Sequence, residues 1–380
     1  MKADCDVAVI GAGVAGSAMA DAMARRGWET ALIDKEVFPR HKACGEFLSP
    51  ESAGILRRLD QLGTVEALNP PAITSVRLHS ERGVSLEIPL PGTAWGISRH
   101  ALDAKLQQSA RMRGVRLLTG WTAAAVEKNG CGDYSIDLRG RDSGNLRLTA
   151  RSVIAAWGRR PPNGFLTPVH RRGRSYVGLK SHFTGFDSSP AVDLYFFRGG
   201  YFGVSPVEGE RLNAAALLDR AGLNRRETGG ALREIWGSAA ERIPALRERF
   251  DKAEAVPGTQ AATYPVRIPT EPSPWNGLPC IGDAAAVIPP FCGDGMAMAL
   301  RSVELCVPLA DAYLRGTCSL EEWRSAYTRH YHRHFAGPLR WGGWMNRLLA
   351  YPTAAAWLLR IGSVAPETAR RLVRATRLGD

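Results

Sequence analysis

Three clusters of residues have the types and spacings that bind anions or carry acid–base chemistry. The first is Gly11-Ala12-Gly13-Val14-Ala15-Gly16. Gly11 permits a sharp turn, Gly13 has no side chain to block a pyrophosphate, and Gly16 lets a following helix lie close on a sheet. Asp34 and Lys35 follow about twenty residues later, where an acid holds the ribose hydroxyls of an adenine dinucleotide. The second cluster runs from Arg40 through Lys42, Cys44 and Gly45 to Glu46, with two cations for a phosphate-bearing ligand. The third joins Gly282-Asp283 to Cys292-Gly293-Asp294-Gly295-Met296, where glycines opening a helix offer backbone N–H groups to an anion or a carbonyl oxygen. These residues point to a dinucleotide and leave open whether it is FAD or NAD.

The elements that must position them follow from pattern. Val7 to Ile10 reads as a buried parallel strand, and Val14 to Arg26 as an alanine-rich helix stopping at Gly27. Thr30 to Ile33 is a second strand. Ser49, with Pro50 at the first helical position, is expected to cap a helix. From Pro70 to Pro91 the period falls to two, as in half-buried antiparallel sheet. A helix from about His100 to Arg113 and strands over 115–118, 123–128 and 152–156 come next. Between Val169 and Gly258 the chain is β-rich and crowded with Tyr176, Phe183, Phe186, Tyr195, Phe196, Phe197, Tyr201 and Phe202. They suit a sheet core, or one wall of an apolar pocket. A helix follows from Met296 to about Asp311, and beyond Trp323 the tail is helical, with arginines and tryptophans interleaved.

The chain has 380 residues, 45% of them apolar and 23% charged, enough for a large core and two domains. No stretch has the length of a membrane span, and no signal peptide is expected before the first strand. Seven scattered cysteines without a C-x-x-C pair read as reduced thiols in a cytoplasmic protein, with no metal site. The net charge of +12 is mostly arginine. No nucleic-acid-reading module is present, so a nucleic-acid partner is not expected. A solvated basic surface is the plain reading; an anionic cofactor, a carrier protein or a membrane surface would also suit it.

Taken together, the motifs resemble the flavoprotein group of 4-hydroxybenzoate hydroxylase, geranylgeranyl reductases and flavin-dependent halogenases, over most of residues 1 to 310. Cys44-Gly45-Glu46-Phe47-Leu48-Ser49-Pro50 looks most like the geranylgeranyl-reductase branch and related natural-product hydroxylases and halogenases. The resemblance implies an α/β fold: a Rossmann-like FAD-binding domain, an inserted mixed, largely antiparallel β-sheet substrate domain and a C-terminal helical tail. The expected ranges are 1–69, 96–168 and 259–320 for FAD, 70–95 and 169–258 for substrate, and 321–380 for the tail. It implies FAD held by Gly11, Gly13, Ala15, Gly16, Asp34, Lys35, Arg40, Cys44, Gly45, Arg99, Gly282, Asp283 and Gly293, with the Ala123 backbone at the adenine. Gly295 and Met296 would present N–H groups to the flavin pyrimidine edge, where a helix N-terminus favours negative charge on reduced flavin.

Trp157-Gly158 stands where relatives often have an acid-glycine pair, and no second dinucleotide fingerprint occurs. Reduction by NAD(P)H or by an external electron donor therefore remains open. No lysine lies between Lys42 and Lys105 and no Trp-x-Trp occurs, which sets aside tryptophan-type halogenation. The flavin carries the hard chemistry in this group, so side chains with a catalytic role are few. Cys44, Glu46 and Cys292 are the candidates; their plain readings are a buried thiol, a loop tie and a space-filler. The preferred expectation is an FAD-dependent monooxygenase of a hydrophobic aromatic or polyketide-like molecule, free or carrier-bound. The alternative is a geranylgeranyl-reductase-like enzyme saturating isoprenoid double bonds, with the tail resting on a membrane interface. A phenol-type halogenase and a non-catalytic flavoprotein stand behind both.

Overall fold

β1 (Cys5–Ile10) is buried along nearly its whole length, as a strand covered on both faces must be. In the computed structural model, which describes residues 3–141, 144–162, 175–185, 189–219, 246–247, 253–268, 271–365 and 377, it pairs in parallel with two strands. These are β2 (Thr30–Asp34) and β9 (Asn145–Ala155). With β6 (Arg116–Thr119), β7 (Trp121–Lys128) and β8 (Tyr134–Gly140) they form a six-stranded sheet in the order β6-β2-β1-β9-β8-β7. β1 lies at the centre, so the turn after it opens at the carboxyl edge of the sheet, where α/β proteins place ligands.

α1 (Val14–Ala24) leaves that turn and packs between α4 (Arg99–Met112) and α5 (Gly295–Leu314). Its alanines let these helices approach closely, and Met19 and Met23 fill the remaining space at zero exposure. Ser98 caps α4 by accepting the Ala101 N–H at 3.0 Å. Ser49 does not cap α2 (Glu51–Arg58): Pro50 already has helical backbone angles, φ −55° and ψ −33°, so the hydroxyl comes one residue too early. The Ser49 carbonyl instead accepts the Ser52 N–H. The short α3 (Leu62–Glu66) completes this layer.

The second sheet holds β3 (Phe47–Leu48), β4 (Ala72–Ser80), β5 (Ser85–Gly96), β10 (Tyr176–Thr184), β11 (Ala191–Phe197), β12 (Gly200–Val207), β13 (Arg211–Asp219) and β14 (Glu254–Ala255). Its order is β14-β10-β13-β12-β11-β4-β5-β3, and β15 (Ala261–Val266) also pairs with β10. Every pair is antiparallel except β11 with β4, so the sheet is mixed and largely antiparallel. Phe183, Tyr195, Phe197 and Phe202 pack into one core cluster of this sheet. Phe196 faces the other side, Tyr176 joins a small third cluster, and Phe186 lies outside the described residues.

The tail is α6 (Leu320–Leu349) and α7 (Pro352–Val364). α6 begins with a capping box in which Ser319 and Glu322 satisfy each other's backbone N–H groups. Trp323, Tyr327, Tyr331 and Phe335 recur every four residues and are buried, so one face of the helix packs on α5. Tyr327 needs a partner for its buried hydroxyl and donates it to the Cys280 carbonyl at 2.9 Å.

Candidate active site

The turn after β1 is built by close approach. A Cβ on Gly16 would stand 1.7 Å from the Gly11 carbonyl oxygen, and one on Gly11, at φ +113°, 2.2 Å from the Ala156 oxygen. Both glycines serve the fold of the turn, and a side chain at either would push β1, α1 and β9 apart. Gly13 is different. A Cβ there meets only the Arg99 guanidinium, at 3.2 Å, so the position faces open space. Asp34 Oδ2 accepts the Ala12 N–H at 2.7 Å and Oδ1 the Glu36 N–H at 2.9 Å, which fixes the carboxylate at the end of β2 beside the turn.

In front of the turn lies a cleft of about 1010 Å³. Gly13, Ala15, Cys44, Gly45, Glu46 and Arg99 line one side; Gly282, Asp283, Gly293, Gly295 and Met296 line the other. Three stretches far apart in sequence thus meet at one place. Gly282 reaches it at φ +61° with its N–H on Ser302 Oγ, and a Cβ there would come 3.0 Å from Ala15 Cβ. Gly295 opens α5, and a Cβ on it would meet nothing within 4 Å, so the N-terminus of a 20-residue helix faces the cleft unobstructed. Asp34, Lys35, Arg40 and Ala123 do not line this cleft: Lys35 is exposed, Arg40 lies 4.7 Å over the Phe38 ring, and Ala123 is buried opposite Leu138 in the β7–β8 ladder.

Charge in the cleft is positive and fixed. Arg99 donates from Nε and Nη2 to both oxygens of Asp103 at 2.8 Å, within α4. Burial opposes its charge, but Asp103, Cys44 and Asp283 together outweigh burial and hold Arg99 above its ordinary value. Lys42 also borders the cleft; burial and the neighbouring Arg99 push it down to about 8, against Asp283 and Asp103. Arg159 stands 3.9 Å from Asp283. An anion entering here relieves the repulsion between Lys42 and Arg99. A glycine-lined cleft, an open helix N-terminus and the cations Lys42, Arg99 and Arg159 gathered around it are what a dinucleotide with a flavin head requires, so the residues present fit FAD.

Glu46 sits at the back of the cleft at φ +56°, a conformation uncommon outside glycine, with no exposed surface. Its backbone carbonyl accepts the Ile97 N–H, and Oε1 accepts the Arg99 N–H at 3.0 Å. Its carboxylate meets Lys180 Nζ at 3.2 Å and His182 Nε2 at 2.6 Å, both from β10. Burial raises the cost of its charge, yet His182 and Lys180 hold it below the usual carboxylate range. Nearby, Ser205 and Asn213 donate to the Gly45 and Cys44 carbonyls, which fastens the loop to the second sheet.

A second cavity of about 770 Å³ adjoins the first and shares Cys44, Gly45, Phe47 and Gly293 with it. Its walls are apolar: Val76, Val192, Leu194, Tyr201 and Leu217 from the sheet, and Phe291 opposite. Of the aromatic residues singled out in β10–β12, Tyr201 lines this space and the other described ones pack elsewhere. Cys292 lies on this wall. Burial, with Asp294 beside it, holds its thiol well above the ordinary value, so it stays protonated. Arg377 also reaches the cavity and binds both Glu51 oxygens at 3.2 Å.

Asp294, next to Gly295, is buried beside the Ser49 hydroxyl, with no well-formed hydrogen bond to either carboxylate oxygen among the described residues. Burial pushes it up to about 7, against the pull of Arg377 and with a push from Glu51. The folded protein therefore keeps a proton that the unfolded chain releases, and stability falls as pH rises from about 4 to about 7. Asp294→Asn is expected to flatten that slope and to stabilise the protein above pH 7 by roughly 1–4 kcal/mol. Chemical denaturation of both proteins across this range is the check.

Lys180, His182, Arg159 and Arg377 carry no local sequence motif. A readable signal was present for two of them: Lys180 and His182 stand at i and i+2 in a strand that is otherwise apolar but for Ser181 and Thr184, hence on one face.

This fold and site define a flavoprotein. Residues 4–335 match the FAD binding domain family, and the chain belongs to it; its cofactor is FAD and it is an oxidoreductase. Among its relatives, the menaquinone reductase of Mycolicibacterium smegmatis is 26% identical, matching 100% of this chain and 92% of that protein. Squalene monooxygenase of Mus musculus is 26% identical over 80% of this chain and 54% of its own length. The myxobacterial chondrochloren halogenase CndH has the same fold, with a TM-score of 0.75 at 21% identity, over 88% of this chain and 80% of that one.

Proposed function

We propose that this flavoprotein reduces an isoprenoid carbon–carbon double bond in a membrane-resident lipid, of which a menaquinone is the first to test. The observation that carries the reading is the apolar cavity opening directly onto the cofactor cleft. An uncharged chain fits it, and the shared wall at Cys44, Gly45 and Gly293 brings its occupant to the flavin end. When bound, FAD supplies hydride transfer. The protein's own part is to hold the cofactor with Gly13, Arg99, Asp283 and the α5 N-terminus, to align the chain along Val192 and Leu194, and to keep water out. The match to menaquinone reductases, over 100% of this chain for one and 91% for another, favours reduction over oxygenation. The electron donor is NAD(P)H or an external reductant. The direct test is anaerobic. Photoreduced enzyme should add two hydrogens to the isoprenoid side chain of a menaquinone without oxygen, read by mass spectrometry because the quinone ring alone can reoxidise a flavin; a product reduced only at the ring, or formed only with oxygen, would speak against the proposal.

The tail supports a lipid substrate. Residues 323–366 contain six arginines and no aspartate or glutamate. Trp357, Ile361 and Val364 follow helical spacing on α7 at 65, 51 and 86% exposure, while Trp341 and Trp344 are exposed on α6 with ring centroids 5.7 Å apart. Exposed aromatics beside arginines suit the interface of an anionic bilayer. The inner face of α7 packs on β4, β5 and β11, of which β4 and β11 line the apolar cavity through Val76, Val192 and Leu194. No described helix is long and apolar enough to cross a membrane, so contact would be peripheral. Trp344→Ala/Trp357→Ala is expected to lower binding to anionic vesicles by at least about tenfold, at roughly 1 kcal/mol or more for each side chain. Flotation with anionic and with neutral vesicles reads it.

Monooxygenation of a hydrophobic molecule is the second reading, favoured by Tyr201 and Phe291 meeting edge to face at 6.1 Å, a wall suited to a planar substrate.

A further inference from the structure

We propose that His41, Lys180, His182 and Glu46 form a proton relay linking solvent at His41 to the wall of the cofactor cleft at Glu46. The relay follows from heavy-atom geometry. Lys180 Nζ is 3.0 Å from His41 Nδ1, 2.7 Å from His182 Nε2 and 3.2 Å from Glu46 Oε1. His182 Nε2 is also 2.6 Å from Glu46 Oε2. One imidazole nitrogen thus faces a donor and an acceptor at hydrogen-bond distance, and it can satisfy only one of them at a time.

Two proton arrangements share these positions. In one, His182 gives its Nε2 proton to the Glu46 carboxylate. In the other, His182 keeps that proton and Glu46 carries a further one on Oε1, received from Lys180. The second arrangement holds one proton more than the first, so the cluster can load and unload a proton while Lys180, His182 and Glu46 stay in place.

The ends of the chain differ in access. Lys180, His182 and Glu46 are buried, whereas His41 is partly exposed and stacks on His100 with centroids 4.7 Å apart. Burial and the charges of Lys180, His100 and His182 push His41 down to about 4, against Glu46, so at neutral pH its Nδ1 accepts from Lys180. Burial pushes Lys180 down as well, although Glu46 opposes this. At the inner end, Glu46 lines the cleft, and its backbone N–H donates to Cys44 Sγ at 3.4 Å. The three side chains His41, Glu46 and His182 also have the makeup of a metal-ligand set, their nearest atoms lying within 4.8 Å of one another. The Lys180 ammonium stands among those atoms and serves as the cation.

In the transfer step a Lys180 Nζ–H bond breaks as an O–H bond forms on Glu46. Nζ, now neutral, needs a proton back: the partly exposed His41 ring turns to solvent, takes a proton from hydronium at Nδ1 to become imidazolium, turns back and yields that proton to Nζ. No electrons move. The relay serves any reaction in which bound flavin takes up protons; that use rests on the cofactor site described above, while the relay itself does not.

The test has two arms. In holoenzyme, electrons delivered by a photogenerated deazaflavin radical reduce the flavin in weak buffer, and a pH-indicator dye follows proton uptake. His41→Ala is expected to slow uptake by at least about tenfold, with imidazole added to the solution restoring it; Lys180→Met is expected to slow it without rescue. Wild-type uptake in His41→Ala, or slowing that imidazole leaves unchanged, overturns the relay. The second arm uses apoprotein and needs no flavin. Histidine NMR should show the His41 midpoint rising by roughly one unit in Lys180→Met, as a like charge is removed. An unchanged midpoint contradicts the placement of Lys180 whatever the cofactor proves to be. Should Lys180→Met not fold, His41→Ala alone decides.

Discussion

Gly13→Val is expected to give a folded, colourless protein. A Cβ at this position meets only the Arg99 guanidinium, and the backbone, at φ −80° and ψ −167°, is extended and open to any residue. The fold therefore accepts the branched side chain, while the space for a pyrophosphate does not. FAD affinity should fall by at least about a hundredfold, close to 3 kcal/mol, with the far-ultraviolet spectrum unchanged. Gly16→Val makes the instructive contrast. Its Cβ would overlap the Gly11 carbonyl at 1.7 Å, so that variant should lose folding together with flavin. Flavin absorbance, fluorescence titration and circular dichroism of the two variants separate a cofactor position from a packing position within one motif.

Glu46→Ala is expected to cost about 3–5 kcal/mol, because it strands the buried Lys180 charge and leaves the Arg99 N–H without its acceptor. Adding Lys180→Met should recover a large part of the loss, since removing both charges is far less costly than removing one. The pH dependence has a definite sign. Glu46 is held below its unfolded value, so its contribution is full above that value, near pH 4.5, and is lost as pH falls through the folded one. Urea denaturation of the single and double variants at neutral pH, and of the wild type down to pH 3, measures both effects.

What the sequence disclosed divides along local and non-local lines. The β1–α1 turn was legible because each of its glycines has a local backbone reason, and Asp34 because β2 lies beside β1. The mixed second sheet was legible in its period-two strands. Residues that act through long-range pairing were not. Lys180 and His182 meet Glu46 across more than a hundred positions, and only the folding of the 44–46 loop against β10 brings them together. Arg377 reaches the apolar cavity from the far end of the chain. The aromatic residues of β10–β12 show the limit most clearly: period alone placed them on strands, but which face met the cavity depended on the neighbouring elements, and of the described ones Tyr201 alone lines it. For Cys292 the burial that fills the wall also keeps the thiol protonated, so its chemistry is decided by packing that no local pattern reveals.

The central claim is reduction of an isoprenoid double bond at a flavin site, and mass spectrometry of the lipid tests it most directly. Holoenzyme kept reduced in the absence of oxygen would be incubated with a menaquinone on anionic vesicles. The expected product has gained two hydrogens in its side chain, forms without oxygen, and is absent with Gly13→Val. A product that has gained an oxygen atom and appears only in air would contradict the claim and establish the oxygenase reading in its place.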